Sequence, residues 1–297
     1  MNKGIKYFLL KSKRVIIPII PKLIEVGVNA ATNDLFLSAL IAGNTESGLN
    51  KLYGNISGDF VNRSLSNQEE ERIGVALAFA VMEIKENFGN KKSLREDGFF
   101  DPDEFKRSPY DEIGEGVYKK AKDEFELKKL KYYGNFLANI AFSEEVSKEE
   151  ANKLLSLIDS LTYRQIKLLA LVTCSGANSI LGIKSQEMNE RISSVGTKFY
   201  GIGIPKKWDL PDVDFRQGGM RGYSTISIYQ DILDLMRLGL IVQRINGNIE
   251  IILDITNINP SRLEAIGLGA QLFNFMNLRQ INDKELEETL EQLKNLS

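Results

Sequence analysis

Histidine is absent from the 297 residues, and Cys174 is the only cysteine. The lack of histidine removes the commonest general base and the commonest metal ligand. A single cysteine excludes a disulfide within the chain and a thiolate zinc site, and it fits a reducing compartment. Because Cys174 follows an apolar run, we interpret it as a small buried hydrophobe rather than a nucleophile. The sequence therefore predicts a protein that is not an enzyme and that needs neither a cofactor nor a metal ion.

Net charge is also almost absent, since 38 basic and 40 acidic side chains leave a formal charge of −2. Such a chain has no global field that attracts nucleic acid. No run of about 18 apolar residues occurs, so no ordinary transmembrane helix is predicted. Lys11, Lys13 and Arg14 interrupt the apolar run that a secretory signal requires. We therefore expect a globular cytoplasmic protein, with association with the inner membrane left open.

Residues 1–60 differ in composition from the rest of the chain. Six basic residues precede the first acid and alternate with apolar side chains, while Pro18 and Pro21 exclude one continuous helix. One interpretation is an arm that lies on or enters an anionic membrane as an oligomer. Its membrane contacts would be Phe8, Leu9, Ile16, Ile17 and Ile20. The alternative is a set of helices that pack on the rest of the protein, with the lysines in solvent.

Residues 61–160 carry the signals of a helical core. Ser66, Ser108 and Ser147 stand where helix caps are expected, two of them in capping boxes and one before a proline. We expect the helix after Ser108 to be long and to continue the same apolar stripe into the segment around Gly134, where the glycine allows close helix approach. The predicted stripe of this helix is Ile113, Val117, Ala121 and Phe125. Three phenylalanines of the preceding charged loop are expected to pack on the core: Phe99, Phe100 and Phe105.

Residues 161–280 have the element order of a winged helix, which is helix, short helix (185–192), loop, helix and hairpin. The hairpin is predicted around Asn246-Gly247, the strongest short hairpin signal. A further helix is expected to begin at Asn259-Pro260. The presumed recognition helix, 227–238, carries two acids and one base, which makes a poor surface for a phosphate backbone. We therefore expect a winged-helix-like shape that does not bind duplex DNA by its usual face.

The predicted fold class is thus mainly α. An N-terminal helical region and a long-helix core are followed by a winged-helix-like α+β domain with one β-hairpin, and an acidic helix over 281–297 ends the chain. Arg164, near the start of the helix that is expected to follow Thr162, is interpreted as a surface or capping residue.

A glycine-rich stretch precedes the presumed recognition helix, and residues 216–223 read RQGGMRGY. Glycine-rich backbone with two arginines at a helix N-terminus suits an anion or phosphate, such as a nucleotide or oligonucleotide. The stretch is not a P-loop, because the Gly-Lys-Ser/Thr ending is missing. The candidate ligand contacts are Lys206, Lys207, Arg216 and Arg221. The alternative is an irregular loop that binds nothing.

Three segments of the chain resemble the Abi-alpha family of bacterial abortive-infection proteins. They are YYGNFLANIAF at 132–142, SLTYRQIKLLALV at 160–172 and DLMRLGLI at 234–241. The resemblance covers roughly the C-terminal two-thirds, contains no catalytic motif and leaves the N-terminal arm without a match. It implies a role in phage defence without an identifiable enzymatic activity.

Four functional hypotheses follow, of which the least favoured is an enzyme with carboxylate or tyrosine chemistry, because the sequence lacks histidine, paired metal ligands and a phosphate-binding loop. The first is a non-enzymatic antiviral effector that acts on the membrane through its N-terminal segment as an oligomer and is controlled by its C-terminal domain. The second is a soluble module that senses a nucleotide or a protein without membrane action. The third is a winged-helix regulator that binds nucleic acid.

Overall fold

A computed structural model of the chain describes residues 66–105, 107–176, 207–213, 215–216, 220, 222–246 and 248–294. The described chain divides into two compact units. The first comprises residues up to Thr162 together with Phe275–Asn277, and the second comprises Tyr163–Asn274 and Leu278–Ser297. Within the described ranges, every helix is too short or too polar to cross a bilayer. The N-terminal arm, residues 1–60, and the predicted short helix over 185–192 lie outside the described residues.

The described part of the first unit is built from helices, with a long loop over 90–108 between the first two. These are α1 (Asn67–Gly89), α2 (Pro109–Asp123), a 3₁₀ turn (Leu127–Lys129), α3 (Leu130–Ile140) and α4 (Lys148–Ser160). The three predicted serine caps are confirmed. The hydroxyl of each serine accepts the N–H of the residue three positions later, and the backbone N–H of the serine donates to the carboxylate of that residue. Local side-chain chemistry therefore sets where α1, α2 and α4 begin.

Close contact between α1 and α3 depends on Gly134. A methyl group added there would lie 2.2 Å from the carbonyl oxygen of Ala76 and 2.8 Å from the backbone nitrogen of Ala80. No side chain fits in such a space, so the predicted close approach at Gly134 is confirmed. The buried rings of Tyr132, Tyr133 and Phe136 fill the core on either side of this contact.

Two predictions about the aromatic residues of the first unit are wrong. Phe125 is 81% exposed because α2 ends at Asp123, and Phe105 is 75% exposed. Asp103 turns the loop by accepting the N–H groups of Phe105 and Arg107, which leaves the Phe105 ring outside. Phe99 and Phe100 are buried, as expected.

The early end of α2 is caused by contacts of Glu124 that the helical pattern of the sequence does not reveal. Glu124 leaves the helical conformation, with φ −71° and ψ 127°. Its carboxylate accepts the N–H of Glu126 at 2.9 Å and pairs with the ammonium of Lys129 at 2.6 Å. The predicted long helix is therefore two helices, separated by a turn that a buried ion pair stabilises.

The second unit combines helices with a small sheet. Its elements are α5 (Tyr163–Gly176), α6 (Tyr223–Arg237), β1 (Ile241–Ile245), β2 (Asn248–Glu250), β3 (Leu263–Ala265), α7 (Gly267–Phe275) and α8 (Asp283–Lys294). The antiparallel sheet has the order β2-β1-β3. The predicted mainly α fold with a hairpin is confirmed at this level, and Asn246 adopts the positive φ of 50° that the hairpin turn favours.

The prediction that a helix begins at Asn259-Pro260 is wrong. The Asn259 side chain caps only a 3₁₀ turn, Pro260–Arg262. The chain then pairs with the second edge of β1 as β3, and α7 begins at Gly267. Pairing with β1 buries Leu263 and satisfies a strand edge that would otherwise remain open.

Candidate functional site

The predicted ligand contacts fall partly within the described chain. Lys207 and Arg216 are described, whereas Lys206 and Arg221 lie outside the described residues. The five predicted membrane contacts also lie outside them: Phe8, Leu9, Ile16, Ile17 and Ile20. The structure therefore tests the placement of only Lys207 and Arg216.

Lys207 is engaged with its own unit. Its ammonium lies 2.5 Å from a carboxylate oxygen of Asp283 and 5.5 Å from the centre of the Trp208 ring. Its backbone N–H donates to the carbonyl of Cys174 at 3.0 Å. Because the ion pair is exposed, it contributes at most about 1 kcal/mol, and a ligand would compete with it at little cost.

Arg216 lies at a small polar pocket in the second unit, which we call the hairpin pocket. Its lining comes from the β1–β2 hairpin, from the segment after it and from the chain before α6, and Lys207 is not part of it. The side chains that matter most for recognition are Arg216, Arg262, Glu250, Gln243 and Asn259. The free volume is about 10 Å³, which is room for about one water molecule.

Gln243 forms the floor of the hairpin pocket and is almost fully buried. Its amide nitrogen donates to the Glu250 carboxylate at 2.6 Å and to the carbonyl of Asn257 at 3.1 Å. Its amide oxygen accepts the N–H of Asn259 at 2.6 Å. All three bonds cross between segments of the chain, so Gln243 fixes the shape of the pocket rather than remaining available to a ligand.

One wall of the pocket is fixed by the side chain of Asn259. Its amide nitrogen donates to the Asp212 carboxylate at 2.5 Å, and its amide oxygen accepts the N–H of Ser261 at 3.1 Å. The backbone N–H of Ser261 also donates to the carbonyl of Pro211 at 3.1 Å. These bonds join the segment before α6 to the 3₁₀ turn that carries Arg262.

Arg216 is held beside this wall by its neighbour in the chain. The buried ring of Phe215 packs edge-on against Tyr229 of α6, with ring centroids 4.9 Å apart. Tyr229 is itself fully buried, and burial raises the pKa of its hydroxyl. The backbone under Arg216 is therefore anchored, while the guanidinium itself is exposed.

The charges around the pocket favour an anion. Two guanidinium groups, from Arg216 and Arg262, line the pocket with one carboxylate, from Glu250, which already accepts a hydrogen bond from Gln243. A second carboxylate, from Asp212, accepts the amide of Asn259 and does not line the pocket. Guanidinium groups bind carboxylates and phosphates through paired hydrogen bonds. The pocket can therefore receive one small anionic group, with the rest of a larger ligand outside.

The sequence predicted Arg216 but missed the rest of the pocket. The strand IVQRI places Gln243 on the same face as Ile241 and Ile245, since side chains alternate along a strand. The sequence did contain one signal of this role, because Gln243 is a polar residue on the apolar face of the strand. Nothing local in the sequence indicates that Asn259 and Arg262 lie beside it, because β3 and the preceding turn reach β1 from elsewhere in the chain.

Arg164 lies at the surface, as predicted, with 40% of its side chain exposed, and it also has partners on α6 that the sequence did not reveal. Its guanidinium pairs with the carboxylate of Asp231 and donates to the hydroxyl of Ser227 at 2.6 Å. Gln165 donates to the same Asp231 carboxylate at 3.2 Å. One of the two acids of the presumed recognition helix is thus buried against α5 within the second unit.

A buried charged cluster in the first unit was also missed by sequence reasoning. Lys129 pairs with Glu124 and donates to the carbonyl of Asp159 at 3.1 Å. The hydroxyl of Tyr133 lies 3.0 Å from the Asp159 carboxylate and 3.4 Å from the Glu124 carboxylate. Burial, with the negative charges of Asp159 and Glu124, raises the pKa of Tyr133 far above its ordinary value. These groups join α2, α3 and α4 and bond with one another.

Asparagines of the YYGNFLANIAF segment have a structural role in the first unit. Asn135 donates to the carbonyl of Met276 and Asn139 to the carbonyl of Phe275, each at 3.0 Å. Asn277 in turn donates to both oxygens of the Glu83 carboxylate, at 2.9 and 3.0 Å. Asn135, Asn139 and Glu83 thus hold Phe275–Asn277 in place within the first unit.

Cys174 is buried, and burial raises the pKa of its thiol, so its environment is that of a small hydrophobe, as predicted. Among the described residues, no group of three or more acidic or cysteine side chains is arranged to hold a metal ion.

Comparison with protein-family models, with curated proteins and with solved structures found no match to the chain.

Proposed function

We propose that this chain is a non-enzymatic effector of prokaryotic antiviral defence by abortive infection. In this proposal the N-terminal segment, residues 1–60, acts on the inner membrane as part of an oligomer. The second unit, which we take to be winged-helix-like, controls that action by binding an anionic ligand. The observation that carries the proposal is the hairpin pocket, with Arg216 and Arg262 on a frame fixed by Gln243.

The hairpin pocket supports a sensing role because its frame is preorganised. Gln243 and Asn259 use their amide groups to hold the surrounding chain, so a ligand need not order these groups on binding. Arg216 and Arg262 are exposed and carry the charge that the ligand would meet. The fixed frame and the exposed cations together suit recognition of one anionic group.

The class of ligand follows from charge and size. A pocket of about 10 Å³ accepts the oxygen of a phosphate or carboxylate but not a nucleobase. A nucleotide or an oligonucleotide would therefore place a phosphate at the arginines and leave its base on the outer surface. Phosphate is favoured over carboxylate because two guanidinium groups together match its higher charge.

The composition of the N-terminal segment supports the membrane half of the proposal. Lys3, Lys6, Lys11, Lys13 and Arg14 precede the first acid, Glu25, and each basic side chain near an anionic surface contributes about 1 kcal/mol. The apolar residues between them would enter the boundary between headgroups and acyl chains.

The ligand half is tested by isothermal titration of the full chain with inorganic phosphate and with adenosine monophosphate. We expect binding by the wild type and at least a tenfold loss in the Arg216→Ala variant, since a charged hydrogen bond contributes about 1.5–3 kcal/mol. Arg237→Ala is the matched control, because Arg237 is exposed, pairs only weakly with Asp234 and does not line the pocket. Equal affinities for all three proteins would remove the hairpin pocket from the proposal.

The membrane half is tested by flotation with vesicles of phosphatidylethanolamine and phosphatidylglycerol, with and without phosphate. We expect the full chain to float and to release a trapped dye, and the Ile16→Asp/Ile17→Asp variant to do neither. Phe105→Asp is the control, because it replaces an exposed apolar side chain of the first unit by aspartate. A wild-type chain that neither floats nor releases dye in either condition contradicts the membrane half.

The second candidate is a soluble sensing module without membrane action. The observation that favours it is that every described residue lining the hairpin pocket belongs to the second unit. Phosphate binding that depends on Arg216, together with no flotation under any condition, is the result that selects this candidate.

A further inference from the structure

A short loop leaves the hairpin pocket and returns to it. Glu250, the last residue of β2, and Thr256 both line the pocket, so residues 251–255 connect two points of its wall. We call these five residues the return loop. Leu253 is three residues from Glu250 and three from Thr256, so its Cα lies within about 11 Å of both. The side chains of the return loop are therefore held close to the pocket.

Two aliphatic side chains of the return loop protrude into solvent. Ile251 is 84% exposed and Leu253 is 82% exposed, whereas Ile252 and Ile255 are half-buried. The half-buried side chains keep the loop on its own unit. Large apolar side chains that are exposed together mark a surface that meets a protein or a membrane.

The charged groups around the return loop differ in what they offer a ligand. Asp254 accepts the N–H of Thr256 at 2.8 Å and its hydroxyl at 3.0 Å. Glu250 accepts a side-chain amide of β1 at 2.6 Å. Both carboxylates thus hold their own unit together, while the two cations of the pocket, Arg216 and Arg262, are exposed. The surface therefore presents two positive charges close to two protruding aliphatic side chains.

We propose that the phosphate received by the hairpin pocket belongs to the headgroup of an anionic phospholipid, and that Ile251 and Leu253 enter the membrane beside it. This inference rests on the proposed function, because it names the source of the anionic ligand of the same pocket. Basic side chains are attracted to anionic lipids, and apolar ones enter the boundary between headgroups and acyl chains. Amphipathic segments bury their apolar side about 5–10 Å into this boundary, a depth that the return loop can span from the pocket.

The chemistry of the return loop favours a lipid over the other molecules that carry a phosphate. A nucleobase outside the pocket would be held by stacking on aromatic side chains, and residues 251–255 contain none. A peptide is recognised by pockets that receive its side chains, whereas Ile251 and Leu253 protrude. A membrane requires only a positive site with apolar side chains beside it, and the second unit has both.

This contact is weak when it acts alone. Two aliphatic side chains contain fewer carbon atoms than one myristoyl chain, which itself gives only marginal binding. Stable attachment to a membrane takes two signals, and in the proposed function the N-terminal segment supplies the other. We therefore expect the return loop to strengthen binding to anionic vesicles without holding the chain on them by itself.

The first test titrates the full chain with monomeric dihexanoylphosphatidylglycerol and with glycerophosphoglycerol, which is its headgroup without acyl chains. We expect the wild type to bind the lipid about tenfold more tightly than the headgroup, because the acyl chains cover Ile251 and Leu253. Ile251→Gln/Leu253→Gln should bind both ligands equally, and Arg216→Ala should bind both more weakly. Phe105→Gln/Phe125→Gln is the matched control, since these rings are 75% and 81% exposed in the first unit, and it should bind like the wild type.

The outcomes of this titration separate the lipid assignment from the proposed function. Headgroup binding that depends on Arg216 but is not strengthened by acyl chains overturns the lipid assignment, and it leaves the pocket to a phosphate on another molecule, such as a phosphorylated peptide. Tighter binding of the lipid that persists in the glutamine variant of the return loop, or in Arg216→Ala, also overturns it. A wild type that binds neither ligand nor inorganic phosphate removes the pocket itself.

The second test asks whether Leu253 reaches the membrane. Nitroxide-labelled lipids in phosphatidylglycerol vesicles should quench the fluorescence of the Leu253→Trp variant. Phe125→Trp is the control, and it should show only the quenching of Trp208, which both proteins contain. Flotation of Leu253→Trp without quenching beyond that of the control overturns the lipid assignment while the membrane role of the N-terminal segment stands. If the wild type and both variants fail to float, the lipid assignment and the membrane half of the proposed function both fall.

Discussion

Substituting Lys129 by methionine tests whether the buried cluster of the first unit stabilises the fold as the geometry implies. The side chains of Lys129 and Glu124 are only 4% and 5% exposed, and their charged atoms are 2.6 Å apart. Methionine has a similar length and keeps the apolar packing of the lysine stem. The substitution therefore removes the positive charge and leaves a carboxylate in a buried environment.

The expected loss in the free energy of unfolding depends on the hydrogen bonds that Glu124 keeps in the variant. Breaking a buried ion pair on one side costs about 3–5 kcal/mol, because the remaining charge has lost both water and its partner. Glu124 keeps the N–H of Glu126 at 2.9 Å and a long contact of 3.4 Å with the hydroxyl of Tyr133. The N–H of Glu126 and this weaker contact place the expected loss near the lower end, at about 3 kcal/mol. The double variant Glu124→Gln/Lys129→Met removes both charges and should regain most of this loss.

Urea unfolding followed by circular dichroism measures these free energies at neutral pH. Lys119→Met is the matched control, since Lys119 pairs with Glu115 at a similar distance of 2.7 Å but is 55% exposed. We expect it to lose less than about 1 kcal/mol, as exposed pairs do. A loss below about 1 kcal/mol in Lys129→Met, or a double variant no more stable than the single one, would refute the reasoning.

Three further predictions concern packing, the hairpin pocket and alkaline pH. Gly134→Ala would place a methyl group 2.2 Å from a carbonyl oxygen of α1 and should cost about 3 kcal/mol or prevent folding, whereas Gly89→Ala, with open space around it, should leave the urea midpoint almost unchanged. Gln243→Leu removes the acceptor of the buried backbone N–H of Asn259 and should lower the free energy of unfolding by about 1–3 kcal/mol in the same assay. Because burial raises the pKa of Tyr133, the folded state holds this proton where the unfolded state releases it, so stability falls as pH rises above about 10. Tyr133→Phe should lose less stability than the wild type between neutral and alkaline pH, measured by the change in urea midpoint.

The starts of α1, α2 and α4 were predictable because their causes are local. The caps of α1, α2 and α4 each need one serine and one acid three residues later, and both are visible in the sequence. The turn of the hairpin was predictable for the same reason, since Asn246-Gly247 favours a positive φ. These features involve only residues that are neighbours in the chain.

Features that depend on distant residues were not predictable. The end of α2 at Asp123 follows from a pair between Glu124 and Lys129 that also involves Asp159, some thirty residues later. The strand β3 replaces the start of a predicted helix because β1 offers it a second edge. Helical periodicity continues through both places, so it predicted one long helix where the structure has two and a helix where it has a strand.

The residues of the candidate site were likewise predicted only where the signal is local in the sequence. Arg216 was predicted from its glycine-rich surroundings, and it does line a pocket. The frame around it was missed, because the bonds of Gln243 and Asn259 join segments that the sequence keeps apart. Lys207 was predicted as a ligand contact, but its partner is Asp283 of α8.

Vesicle flotation tests the central claim, that the chain acts on membranes through its N-terminal segment, most directly. The comparison uses vesicles containing phosphatidylglycerol and otherwise identical neutral vesicles, with the full chain and with Ile16→Asp/Ile17→Asp. The proposal predicts that the wild type floats with the anionic vesicles only and that the double variant does not float. A wild type that stays in the dense fraction with and without phosphate, or a double variant that floats as well as the wild type, would contradict it.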